Sequence, residues 1–314
     1  MPGSTGVALE NETDYIAEMP SDASEAAVGA TGAGEGRKRG PWFVVFIIAL
    51  VVFIGSLVAL GAILYSYFQG QQKYVEIAET SNFDPSTVDS EPLAQVTVDW
   101  DALRAVNPDT VGWVYVPNSR INYPIVQGQD NEHYLTYDFD GDQGWLAEYG
   151  SVFLDARNKG DWSDQLSFVY GHHMNDGSMF ADIAGFVDQA RFDECRTVYL
   201  LTPQGNYRLR SFSLVHCSAY DPIVETSFES AEVMTNYIQD KMDRSVVSVG
   251  DAPKASDIKK AFAFATCDNN SSGRYVLFCY IDDASAEGLS GVLGLSQDNE
   301  GQTEGFDNEL SVIE

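Results

Sequence analysis

The sequence predicts a mainly β protein, with about eight short strands closing into a barrel, one helix inserted among them, and a single membrane-spanning helix in front. Three observations predict this. Residues 42–64 contain no charged side chain. From Asp99 onward, short β-type runs recur at close spacing, separated by Gly, Pro, Asn and Asp. Within that region only one long stretch, Ser230–Arg244, has apolar residues at helical spacing.

The uncharged run at 42–64 is roughly 35 Å long as a helix, enough to cross a bilayer with some tilt. A cleaved signal peptide would have a shorter apolar core at the extreme N-terminus. Arg37, Lys38 and Arg39 precede the run, and only Lys73 lies close after it. The positive-inside rule therefore predicts a single-pass type II protein of the cell membrane, with the bulk of the chain extracytoplasmic. Trp42, Tyr65 and Tyr67 fit the aromatic belts. The expected organisation is an acidic, disordered cytoplasmic tail at 1–39 and a transmembrane helix at 40–68. A stalk at 69–98, a catalytic domain at 99–285 and a second acidic, disordered tail at 286–314 follow.

The formal net charge is −29, which argues against nucleic acid as a partner. Both ends hold much of this charge. Residues 1–36 carry seven acids without a Lys or Arg, and nine acids follow Tyr275, again without a base. The stalk segment is helical around Gln71–Thr80, then loose with Ser, Asp and Pro. Asp101–Asn107 is a short helix ended by Pro108. The strands are Gly112–Val116, Tyr123–Val126, Gly150–Leu154, Leu166–Tyr170, Thr197–Thr202, Tyr207–Ala219, Ala261–Thr266 and Arg274–Ile281. Met179–Val187 is a second helical candidate. In Ser230–Arg244 the apolar face is Val233, Tyr237, Ile238 and Met242, capped by Ser227 or Ser230.

Two segments about ninety residues apart offer chemistry. One is Tyr170-Gly171-His172-His173-Met174. The other is Ala265-Thr266-Cys267, with Arg274 seven residues on. A histidine, a thiol and a guanidinium are what a cysteine acyl-transferase needs: an acid or base, a nucleophile and a fixed charge for the oxyanion. Strand alternation puts Cys267 on the face of Ala261, Ala263 and Ala265, away from Phe262 and Phe264. That face of small residues leaves room for an extended peptide. It is equally compatible with a small buried hydrophobe, the common fate of a free cysteine. A hairpin through Asp268–Gly273 brings Arg274 back beside Cys267. Of His172 and His173, one at most faces the site, because neighbours in an extended segment point apart. His133 and His216 read as structural or exposed.

The four cysteines, Cys195, Cys217, Cys267 and Cys279, do not make a disulfide framework, although a Cys217–Cys279 bridge is compatible with the spacing. Asp138-Phe139-Asp140-Gly141-Asp142 has the acid spacing of a calcium loop. Gln143 stands where such a loop needs Gly and Tyr149 where it needs Glu, so it reads as an acidic turn.

Residues 95–282 resemble a sortase, and among sortases class B. The resemblance is carried by ordered segments: Asp109-Thr110-Val111-Gly112-Trp113-Val114-Tyr115-Val116-Pro117-Asn118, Ile121-Asn122-Tyr123-Pro124-Ile125-Val126-Gln127, Asp130-Asn131-Glu132-His133-Tyr134-Leu135 and Gly150-Ser151-Val152-Phe153-Leu154-Asp155-Ala156-Arg157-Asn158. Tyr170-Gly171-His172-His173-Met174, running on to Phe180, and Thr266-Cys267 with Arg274 complete them. The resemblance implies an eight-stranded barrel with N-terminal helices and a helix between strands 6 and 7. It implies His172 as catalytic histidine, Cys267 as nucleophile and Arg274 as essential arginine, with Asn131, Leu135, Tyr237, Ile238 and Thr266 along the substrate groove. Ala265 stands where many class B members have Ser. The implied reaction is transpeptidation of a C-terminal sorting signal (NPxTx or xPxTG type) on surface or pilus proteins. The acceptor would be a peptidoglycan-precursor or pilin amine, with no metal or organic cofactor. Three other readings fit the same residues: a non-catalytic membrane-anchored peptide or pilus scaffold, a hydrolase, and a thiol-redox protein lacking a resolving cysteine.

Overall fold

A computed structural model describes residues 40–143, 149–267 and 272–284, and for Cys267 and Ala284 the backbone alone. The two expected disordered tails, the basic residues 37–39 and most of the loop after Cys267 lie outside the described residues. The chain divides into two compact units, residues 1–53 and 54–314.

Helix α1 runs Pro41–Thr80, and its apolar part is long enough to cross a membrane. The expected transmembrane helix and the helical start of the stalk are thus assigned to one element. The stalk segment itself differs from expectation. Tyr74, Ile77, Phe83, Val88 and Val96 are buried in the main core cluster, together with barrel residues. The physical reason lies in its composition, since these apolar side chains are interspersed among polar ones and only a packed surface hides them. Asp84 caps a short 3-10 turn at Pro85–Thr87, its carboxylate accepting from the Ser86 N–H.

Helix α2 is Trp100–Val106, capped by the Asp99 carboxylate on the Ala102 N–H. The remaining elements are β1 Thr110–Tyr115, β2 Asn122–Val126, α3 His133–Thr136, β3 Val152–Leu154, β4 Leu166–Tyr170, α4 Ala181–Gly185, α5 Gln189–Glu194, β5 Thr197–Leu201, β6 Tyr207–Ser218, α6 Ala231–Asp243, β7 Ala261–Cys267 and β8 Gly273–Ala284. The eight strands close into a barrel in the order β1-β2-β3-β4-β7-β8-β6-β5. The pairs β2–β3 and β4–β7 are parallel and the rest antiparallel. The longest pair, β6 with β8, carries two register shifts, near Arg208 and near Ser211–Ser213. Such bulges bend and twist a strand, which helps a sheet curve into closure.

Strand alternation divides the apolar side chains into two sets. The first draws on all eight strands and includes Trp113, Ile125, Phe153, Val169, Val198, Leu209, Phe262, Phe264 and Leu277. The second packs α6 on the sheet: Met234 and Ile238 meet Leu166, Phe168, Phe212, Ala261, Ala263, Ala265 and Phe278. Two expectations change here. The α6 residue facing the sheet is Met234, whereas Val233 is 46% exposed. The alanine face of β7 does not front an open groove over 261–265, because those alanines are buried in the α6 cluster. Small residues there let a helix approach a sheet closely.

Ser230 is the cap of α6, its hydroxyl accepting from the Val233 N–H. The Cys217–Cys279 bridge is not formed; both thiols are free and buried. Register explains it. Cys217 lies opposite Arg274 and Cys279 opposite Ser211. Their positions are therefore on the order of 20 Å apart along the strands, against about 6 Å between the Cα atoms of a disulfide.

Candidate active site

The strand register assembles the site. Strand β4 runs parallel to β7 with Tyr170 beside Ala265, and the Gly171 N–H donates to the Ala265 carbonyl at 3.1 Å. His172 is two residues beyond Tyr170, and Cys267 two residues beyond Ala265, so both lie at the same end of adjacent strands. Across the next ladder Cys267 is paired directly with Arg274. On the far side of Arg274, strand β6 places Cys217. The three residues singled out in the sequence thus converge from β4, β7 and β8.

Two polar atoms at this strand end are buried and hydrogen-bond to no described residue: the Thr266 Oγ1 and the Arg274 Nε. A buried donor or acceptor without a partner is costly and uncommon in a native structure. An unsatisfied guanidinium N–H beside a candidate nucleophile is suited to an oxygen that arrives with substrate.

His172 is half-buried, and its Nε2 lies 2.6 Å from the Leu135 carbonyl oxygen. A carbonyl only accepts, so Nε2 carries the hydrogen. In the neutral ring Nδ1 is then the nitrogen that takes a proton. The carbonyl comes from α3, a single turn whose start is tied by Asp130, which accepts from the Glu132 and His133 N–H groups at 2.9 Å. Gly150 sits between α3 and the imidazole. A Cβ there would lie 2.7 Å from the Tyr134 carbonyl, 2.8 Å from the Leu135 carbonyl and 3.0 Å from His172 Cδ2, and φ is +56°. No other residue fits that position without moving the histidine. His173 goes elsewhere. It bridges to Met179 and lines a separate cavity with Asp182, His216 and Tyr275.

Behind β4 lies a saturated polar cluster that sequence reasoning missed. Asp155 is fully buried. Its Oδ1 accepts from the Arg157 N–H and Nε at 2.9 Å each. Its Oδ2 accepts from Arg157 Nη2 at 2.9 Å, Asn131 Nδ2 at 3.1 Å and the Tyr170 hydroxyl at 2.8 Å. Burial alone would raise this carboxyl, but the Arg157 and Tyr170 hydrogen bonds hold it below its ordinary value. Burial and the neighbouring Asp155 charge push the Tyr170 phenol well up. The Asp-x-Arg spacing in Asp155-Ala156-Arg157 was the sequence signal for this pairing.

The expected groove residues fall out differently. Asn131 is committed on both sides of its amide, donating to Asp155 and accepting from the Ala156 N–H at 2.8 Å. Leu135 is 41% exposed and offers its side chain to solvent while its carbonyl seats His172. Tyr237 is half-buried. Its hydroxyl donates to the Ile223 carbonyl, its ring packs on Phe228 at 5.1 Å, and the Lys241 ammonium sits 4.4 Å over it. Ile238 has no exposed surface and belongs to the α6–sheet core, so its side chain is not available to a peptide. Thr266 is buried with its hydroxyl uncommitted.

The acidic turn is also engaged. Lys73 of α1 donates to Asp138 and Asp140 at 3.0 Å and to Asp142 at 3.3 Å. Burial would lower this ammonium's pKa, but the Asp138 and Asp140 contacts raise it well above its usual value.

No family model matches the chain. It is 29% identical over 233 residues to sortase B of Listeria monocytogenes, a match spanning 71% of this chain and 93% of that protein. It is 28% identical over 149 residues to sortase B of Staphylococcus aureus, 48% of this chain and 60% of that one. Among solved structures, sortase B of B. anthracis in complex with AAEK1 superposes with a TM-score of 0.60 at 27% identity, covering 69% of this chain and 98% of that one. A Staphylococcus aureus sortase B–substrate complex gives a TM-score of 0.60 at 23% identity, covering 69% and 98%, and shows the shared fold. In sequence and in fold the chain is similar to the class B sortases. The similarity supports a sortase-type cysteine transpeptidase.

Proposed function

We propose that this sortase-like chain is a membrane-anchored transpeptidase that cleaves a C-terminal sorting signal through a Cys267 thioester. The observation that carries the reading is the register at one barrel end: Cys267 paired with Arg274, and His172 on the adjoining strand. The Cys267 thiolate attacks the carbonyl carbon of a Thr–Gly or Thr–Asn type bond. The Arg274 guanidinium holds the carbonyl oxygen as charge develops. The C–N bond breaks, and His172 gives its proton to the departing amine. A second amine then attacks the thioester, His172 takes its proton, and the thiolate leaves. The acceptor is the amine of a peptidoglycan precursor or a pilin lysine, and the substrate an NPxTx- or xPxTG-like signal on a surface or pilus protein. The proposed placement is type II, with the 99–285 domain outside. An anchor suits this chemistry, since confining enzyme and substrates to one membrane raises their effective concentration.

The test uses the full chain in lipid nanodiscs with a panel of both peptide types, read by mass spectrometry. Wild type is expected to carry an acyl adduct on Cys267 with at least one peptide, and Cys267→Ala to carry none while keeping its fold. A folded wild-type protein that forms no adduct with any peptide would favour a non-catalytic peptide scaffold. Release of free acid despite added amine would favour a hydrolase.

A further inference from the structure

We propose that Tyr74 and Lys73, on the helix that follows the apolar span, are positioning residues for His172. The inference rests on His172 being the acid–base group of the reaction proposed above. One face of α1, at the i, i+3, i+4, i+7 spacing of a helix, is docked on the segment that seats the imidazole. Gly70 lies so close to the Tyr149 ring that a Cβ would fall 2.2 Å from it. Lys73 gathers Asp138, Asp140 and Asp142. Tyr74 is buried, packs edge-on to Tyr123 at 5.4 Å, and donates its hydroxyl hydrogen to the Gly150 carbonyl. Ile77 joins the core.

What these residues hold is the frame of the histidine. Gly150 is wedged between the Tyr134 and Leu135 carbonyls and the His172 ring. The Ser151 N–H donates to the Tyr134 carbonyl at 2.9 Å, tying the same segment to α3. The Leu135 carbonyl that fixes the Nε2 hydrogen is therefore braced from the far side by a residue of the juxtamembrane helix. A shift of Gly150 of a few tenths of an ångström changes both the contact on Cδ2 and the carbonyl on Nε2. Tyr74 and Lys73 touch no reacting atom; they act through Gly150, α3 and the turn at Asp138–Asp142. A barrel begun at residue 75 would lack both.

The experiment compares the full chain in nanodiscs as wild type, Tyr74→Phe, Lys73→Met, Lys73→Arg and the control Tyr199→Phe. Tyr199→Phe likewise removes one phenol hydrogen bond, here to the Asp89 carboxylate at 2.7 Å. Tyr74→Phe keeps the ring packing and deletes one hydrogen bond. Its kcat for sorting-peptide cleavage is expected to fall about fivefold or more, the scale of one lost hydrogen bond, with KM within about twofold and a melting temperature matching Tyr199→Phe. Lys73→Met should lower kcat in the same way, and Lys73→Arg should restore it. In protein labelled with 15N-histidine, the His172 Nε2 resonance should move in Tyr74→Phe and Lys73→Met and stay in Tyr199→Phe. An unchanged kcat with an unmoved resonance overturns the proposal. So does a fall in kcat matched by Tyr199→Phe, or accompanied by a parallel rise in KM and a larger loss of stability. If wild type cleaves nothing, the proposed function fails, and the resonance alone decides whether the helix positions the ring.

Discussion

Two polar regions flank strand β4's end, and they are built on opposite principles. Asp155 is fully buried and both of its oxygens are filled, by Arg157, Asn131 and Tyr170. On the next two strands, β7 and β8, Thr266 Oγ1 and Arg274 Nε are buried with no hydrogen-bond partner among the described residues. The filled cluster is a scaffold, because its buried carboxylate finds all its donors within the chain. The strand end holds polar atoms that have no partner among the described residues, which suits a group arriving from outside. A filled cluster and the candidate site can share a strand because the first fixes Tyr170 and the second begins at Gly171.

Substitutions separate the two. The largest effect belongs to Arg274→Lys, which replaces a planar fork with a point charge. It should cut kcat for acyl transfer by about 10²-fold or more, the scale of a lost oxyanion donor, with little change in melting temperature. Wild-type turnover in that variant would make Arg274 structural and erase the contrast. Asp155→Asn should do the reverse. It leaves Arg157 and Tyr170 poorly matched, at a cost of about 1–3 kcal/mol in denaturant unfolding, while residual turnover in the folded fraction stays close to wild type. The Asp155 carboxyl is held low, so its contribution is present above the ordinary carboxylate pKa and is lost as pH falls through the depressed value. The wild-type advantage over Asp155→Asn should therefore shrink in strong acid.

A pH-dependent effect sharpens what burial does to a charge seated on backbone carbonyls. Lys260 is buried, with its ammonium on the Trp162 and Asp164 carbonyls, and burial lowers its pKa to about 8. The unfolded chain holds that proton up to the ordinary lysine value. Between pH 8 and about 10.5 the unfolded state binds more protons, so this group's contribution rises with pH. Thermal melts of wild type against Lys260→Met should show the difference moving in wild type's favour over that window. A flat difference would mean that the carbonyls keep the proton in place.

Much of the barrel was legible because its strands are punctuated. Gly, Pro, Asn and Asp separate runs of β-branched and aromatic residues, and Leu166–Tyr170 is observed as expected. Helix α6 was legible from Ser230 and its periodic face, although the face turned by one residue and buried Met234 instead of Val233. Helices α3 and α5 were missed. At four and six residues they are too short to show a helical period, and only the Asp188 cap on the Arg191 N–H marked α5. Among the candidate site residues, Cys267, Arg274 and His172 stood out by type and order. Ile238 was misplaced because a helix's periodicity tells which face is apolar and not whether that face meets a sheet or a groove.

The sequence by itself determined the alternation of β7, the turn that returns β8 beside it, the uncharged run long enough to span a bilayer, and the residue types for acyl transfer. These are local properties, set by neighbours a few positions apart. Only the tertiary structure decided that β4 runs parallel beside β7, that α6 covers the alanine face, and that Lys73 and Tyr74 reach the segment seating His172. Those pairings join residues tens of positions apart. They follow from which apolar surfaces bury one another when the barrel closes, and no local pattern encodes that choice.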